Sequence, residues 1–228
     1  MLMIAWLHKR KGGILMEKKK MKLCKKILLV VLAIFILYSI YVIRNFIIIS
    51  NIVNVSKEYA TKTNYIANLY SIQGNSVNVS KSYNKDGKYL SLIQTKVNDI
   101  NNSIKLTVYK SDNEGLAIIE AGNKKTAILN NNVIGGIYVN TFSNLYDGDI
   151  LQKLFFSAIT RISTEECNNI ECYHIEISSG WKVWIDKENG TIVREINGGF
   201  VTERRYEFDV VKDEDIVKPD ISDCEIQK

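Results

Sequence analysis

The 228 residues carry 30 Lys and Arg against 25 Asp and Glu, a formal net charge of +5, and 46% of them are hydrophobic. That charge averages two unlike regions: the first 26 residues hold nine basic side chains against Glu17, and the part after residue 49 holds 20 basic and 24 acidic ones. A mildly acidic body offers no electrostatic field for nucleic acid, so no nucleic-acid partner is expected, and the single proline, Pro219, excludes a Pro-rich linker.

The chain opens with a basic segment, residues 1–26. Met16 and Met21 each begin a compact Lys-rich stretch, so a start at Met1 reads as early. Ile27 to Ile43 then runs for 17 residues without a charge, and Phe46-Ile47-Ile48-Ile49 resumes it after Arg44 and Asn45. A bilayer core about 30 Å thick takes roughly 20 helical residues, so residues 27–49 are expected to span a membrane once. Arg44 can snorkel from the outer end, and Tyr38 and Tyr41 sit where interfacial aromatics belong. Basic flanks stay inside. The expectation is a cell-membrane protein with a cytoplasmic N-terminus and an extracytoplasmic body. No small-x-small site follows the apolar run and Cys24 precedes it, which favours an uncleaved anchor over a cleaved signal peptide.

Residues 50–63 read as a polar stem, and residues 64–228 as one β-rich domain of ordinary size. Asn84-Lys85-Asp86-Gly87 is a turn before a strand at Lys88 to Val97. Ile104, Leu106 and Val108 alternate with polar neighbours, and Asp112 to Gly115 turns the chain into the next strand. One helix interrupts this antiparallel meander. Ile150, Leu151, Leu154, Phe155, Ala158, Ile159 and Ile162 recur on one helical face, with Asp147 or Asp149 as its N-cap. Burial of that face against the sheet is expected, in preference to a membrane-lying or partner-binding face. Later strands follow at Tyr173 to Ile177 and Trp181 to Ile185, and Asp186-Lys187-Glu188-Asn189-Gly190, a hairpin loop by its Asn-Gly turn, leads into Thr191 to Ile196. Phe200, Thr202, Arg204, Tyr206 and Phe208 share one face of a closing strand. Arg204 on that apolar face needs a partner or a cavity edge.

Catalytic chemistry has few candidates. The domain contains one histidine, His174, in mid-strand, and none of the common nucleophile, phosphate-loop or zinc-protease motifs. No enzyme activity, cofactor or metal is expected: zinc wants four Cys or His ligands, and the acids Asp213, Glu214, Asp215, Asp220 and Asp223 fit no calcium loop. Cys167 and Cys172 bracket Asn168-Asn169-Ile170-Glu171, a candidate hairpin loop. They are either a disulfide across it or a pair of free thiols.

The order of pieces, with Trp184-Ile185-Asp186-Lys187-Glu188-Asn189-Gly190 and the ending Tyr206-Glu207-Phe208-Asp209-Val210-Val211, resembles LolA-like proteins, the outer-membrane lipoprotein carrier family. It is most similar to their membrane-anchored Gram-positive versions. The resemblance covers about residues 60–226 and is specific over Trp181 to Ile226. It implies an α+β fold: a curved antiparallel sheet, an unclosed half-barrel with an apolar concave face, packed on helices and preceded here by one transmembrane helix. In the carrier that cavity takes lipoprotein acyl chains, and related folds serve as regulators. A tethered domain, in a chain whose Asn, Ile and Lys bias suggests a cell without an outer membrane, has no such destination to serve. The expectation is therefore a membrane-held binding module for a lipid or lipoprotein acyl chain. Trp184, Phe200, Arg204, Tyr206 and Phe208 are its candidate ligand-binding residues. Trp181 and Trp184, three apart, point to opposite faces of the sheet. The alternative is a regulatory or structural envelope domain whose concavity is filled by its own side chains.

Overall fold

The computed structural model describes residues 2–97, 103–133, 135–177 and 180–227, with side chains from Lys22 onward. The basic side chains before Met21 therefore lie outside the described ones. One helix, α1 (Leu2–Ala60), runs unbroken through the apolar stretch and the predicted stem. Its apolar part, within Lys22–Ala60, is long and apolar enough to cross a membrane, with a mean hydropathy of 2.6. Leu23 and most side chains from Ile27 to Ile43 are exposed. At Asn45 the surroundings change. Asn45, Ile49, Ile52, Val53 and Ser56, at the spacing of one helical face, are all buried. The last third of α1, which includes the end of the expected span and the expected stem, is the core helix of the domain. Polar Asn51, Asn54, Lys57 and Glu58 on its solvent side disguised it as a linker.

The domain is a 12-stranded curved sheet whose two edges do not meet, an α+β open half-barrel as expected. Its first six strands form a meander: β1 (Tyr65–Gln73), β2 (Ser76–Lys85), β3 (Lys88–Val97), β4 (Ile104–Lys110), β5 (Gly115–Ala121) and β6 (Lys124–Leu129). Two helices follow, α2 (Phe142–Leu145) and α3 (Ile150–Ile159). The chain returns through β7 (Arg161–Cys167), β8 (Ile170–Glu176), β9 (Lys182–Asp186), β10 (Ile192–Asn197) and β11 (Phe200–Phe208), and ends in the short β12 (Glu225–Gln227). The strand order is β12-β6-β5-β4-β3-β2-β1-β11-β10-β9-β8-β7. Every pairing is antiparallel except β12 on β6. β11 pairs with β1 along its whole length, from Tyr65 opposite Phe208 to Gln73 opposite Phe200, and this joins the two halves.

α1 lies on one face of the sheet. Ile49, Ile52 and Val53 pack with Phe142 of α2 and with Ile162, Ile175, Val183, Ile185 and Ile192 of β7 to β10. The approach is close at Gly190, whose φ of +69° already favours glycine. A Cβ there would lie 2.6 Å from the Ser56 Cβ. The Ser56 hydroxyl accepts from the Ser143 amide, which ties α1 to the start of α2. On the opposite face Tyr109, Leu116, Ile118 and Ala127 are covered by Ile216, Ile221 and Cys224 of the C-terminal segment.

The β7–β8 turn is shorter than the four-residue loop the sequence suggests. Asn168 and Asn169, with φ of +54° and +63°, make a two-residue β7–β8 turn. Both central residues in that region suit the twist of a tight hairpin, and Asn tolerates it. The β9–β10 loop lies where the sequence places it, at Asp186 to Gly190, and is wrapped on Asp186, whose carboxylate accepts from the Glu188 amide and the Asn189 side chain. The helix ends at Ile159, with Asp149 and Gln152 forming its N-terminal capping box. Its apolar face is not buried on the sheet. Ile150, Leu151, Leu154, Phe155 and Ile159 are exposed, while the small polar Ser157 is the buried residue.

Candidate functional site

Strand alternation in β11 places Phe200, Arg204, Tyr206 and Phe208 together on the α1 side of the sheet. That side is occupied by the chain itself. Phe208 meets Tyr59 of α1 edge-on at 4.9 Å and lies against Tyr65. The Tyr206 hydroxyl accepts from the Asn140 amide and donates to the Tyr138 carbonyl, and burial pushes its pKa up. Arg204 finds the partner it needs in Glu195, at 3.3 Å, with both side chains mostly buried. Glu195 also accepts from Trp181 Nε1 at 3.1 Å. Phe200 stands half exposed at the strand's start.

Trp184 belongs to the other face. It pairs with Arg194, which pairs with Glu203, the neighbour of Arg204. Its ring stacks on His174 at 4.4 Å and lies under the Arg194 guanidinium, and its indole N–H donates to Glu165. Cys167, Cys172 and Val193 complete this small core. The two-residue turn sets Cys167 opposite Ile170 and Cys172 opposite Glu165. The two thiols are therefore diagonal rather than directly across from each other, and both are free and buried. Burial pushes the Cys172 thiol up to about 12, which keeps it protonated and unlike an activated nucleophile. His174 is a strand residue sealed against Trp184. Among the described residues, no three His, Cys, Asp or Glu side chains converge on a metal-sized site. The C-terminal acids serve as ties instead: Asp213 to Lys85 at 3.0 Å and Asp223 to Lys125 at 2.8 Å. Each lysine hydrogen bond holds its carboxyl below the usual range.

A groove of about 720 Å³ crosses β11, β1, β2, β3 and β4, with Asn168 and Ile170 of the β7–β8 turn at one end. Ile170 packs with the Trp184 core, so this end of the groove belongs to the face turned away from α1. Tyr70, Val79 and Leu92 offer apolar surface there, 39%, 48% and 44% exposed. The register sets Tyr70 beside Val79 and Lys81 beside Leu92. Lys81, Lys105 and Arg205 bring positive charge to the lining, and Glu203 is held by Arg194 at 3.5 Å. Small-ligand sites run to roughly 300–1,000 Å³ with mainly apolar walls and a few polar groups, which this groove matches. Of the five predicted site residues only Arg204 touches its lining. Tyr70, Val79 and Leu92 sit on strands whose alternation is visible in the sequence. Which side of each strand faces its neighbour's apolar residues depends on registers that pair strands by turn geometry.

Fold and site together define an open-sheet domain carried on a membrane-length helix, with an apolar, basic-edged groove on the face opposite that helix. No family model and no curated relative matches the chain. Solved structures that match this chain include two complexes. MucB in complex with MucA(peri) gives a TM-score of 0.37 at 7% identity, over 78% of this chain and 61% of that one. The Pseudomonas aeruginosa MucA/MucB complex gives 0.36 at 6% identity, over 75% of this chain and 61% of that one. The chain thus spans about three fifths of the length of these structures.

Proposed function

We propose that this protein is a membrane-tethered, extracytoplasmic binding module of LolA-like architecture that holds an acyl chain of a lipid or lipoprotein in the groove across β1 to β4. It works by binding, without catalysis. The basic segment lies in the cytoplasm and the sheet domain outside. The observation that carries this reading is the exposed apolar row Tyr70, Val79 and Leu92 in a groove of about 720 Å³. Three large hydrophobics left half exposed on adjacent strands favour an apolar guest, at roughly 0.8 kcal/mol for each CH₂ removed from water. Lys81, Lys105 and Arg205 suit the anionic head of such a guest. The tether keeps the groove near a lipid supply.

The α1 side favours the second reading for its own face. Its interior is filled by Ile49, Ile52, Val53 and Tyr59, as a regulatory or structural domain with a packed core would have it.

Native mass spectrometry of the full chain released from detergent separates the two. One retained lipid per chain is expected, lost in Val79→Asp and Leu92→Asp. Both positions are half exposed, so the charge should leave the fold intact. Retention unchanged in both variants, or no lipid in the parent protein, would refute the groove.

A further inference from the structure

We infer that α3 is a second membrane contact, lying in the outer leaflet beside α1 with Leu151, Leu154, Phe155 and Ile159 in the acyl region. This rests on the anchor reading of α1. Three observations point to it.

Five of the six large apolar side chains of α3 are exposed, Leu151 by 76% and Phe155 by 67%, while Phe156 turns inward onto Phe142 and Tyr146 beside the buried Ser157. A face of that kind demands an apolar medium.

The last carbonyls of α3 are satisfied by α1. Tyr38 donates to Ala158 O at 3.1 Å, Tyr41 donates to Thr160 O, and Asn45 Nδ2 donates to Ser157 O and Thr160 O at 3.1 Å each. Helix-end carbonyls in water need no such arrangement. In a bilayer, where no water reaches them, each must find a protein donor.

The depth is fixed by those same bonds. From Lys26, the last basic residue before the apolar run, to Tyr38 α1 rises only about 18 Å, at roughly 1.5 Å per residue. A hydrocarbon core is about 30 Å thick. Measured from the basic end, the tip of α3 therefore falls within the outer part of the core, and tilting α1 can only sink it further. Of the possible occupants of this face, lipid is the one continuous with the exposed apolar surface of α1.

The test uses the full chain, one copy per nanodisc, in brominated lipid. Tryptophan is placed by Phe155→Trp, with Leu32→Trp in the anchor and Val217→Trp on the far exposed surface as references, each read as the difference from the unsubstituted protein. Strong quenching at 32 and 155, at least threefold that at 217, is the expected result. Quenching at 32 but not at 155 overturns the inference while the anchor stands. A blue-shifted but unquenched signal at 155 assigns the face to protein and also overturns it. Absence of quenching at both 32 and 155 removes the anchor and the inference together.

Discussion

Cys172 and Tyr65 show how burial without charge partners sets the behaviour of single side chains. Burial raises the Cys172 thiol from 9.0, and the Tyr65 hydroxyl from 10.0, to about 12 in each case. The unfolded chain gives up these protons first. Folding stability is therefore whole below about pH 9 and falls as pH rises towards about 12. Denaturant midpoints of the full chain should decline across that window, and Cys172 should resist alkylation until denaturant is added. A flat alkaline profile, or ready native alkylation of Cys172, would contradict the buried placement. Arg204 teaches a related lesson: the sequence shows that an arginine on an apolar strand face needs a partner, and Glu195 supplies it. The identity of that partner depends on the β10–β11 register, which the residue itself does not encode.

The joint between α1 and α3 decides most at the level of elements. Asn45 is fully buried and its amide spans two carbonyls at the end of α3. Asn45→Leu would take the Asn45 donor from Ser157 O and leave Thr160 O with Tyr41 alone, at a cost of about 1–3 kcal/mol. In a chain of this size that corresponds to a fall in Tm of roughly 2–4 °C per kcal/mol. Thermal unfolding of the detergent-solubilised variant checks it, and a Tm equal to the parent's would remove the joint. Much at this scale is legible in the sequence. The meander, the helix start at Asp149 and the closing strand all follow from period-2 runs, caps and Gly-containing turns. Three features are not. The stripe Ile49, Ile52, Val53 and Ser56 is hidden because it continues a membrane-like run, so its helical face is read as length. The exposure of α3 is hidden because an apolar face looks the same whether it meets a sheet or lipid. The Asn168-Asn169 turn is hidden because a two-residue loop of two asparagines and a four-residue loop share one composition, yet they differ in which cysteines meet.

For the molecule as a whole, the membrane-length helix α1 also supplies the core of the domain, so the sheet is packed on the helix rather than hung from it. With one face sealed by α1 and α3 set at the base, the groove across β1 to β4 opens away from both. Under the proposed function, an acyl chain reaching it would leave the bilayer and lie on the sheet. The most direct measurement is a photoactivatable fatty acid added to the full chain in nanodiscs, followed by peptide mapping of the adducts. The account predicts adducts on Tyr70, Val79 and Leu92, competed by excess unlabelled fatty acid. Adducts confined to α1 before Asn45 and to α3 would contradict it.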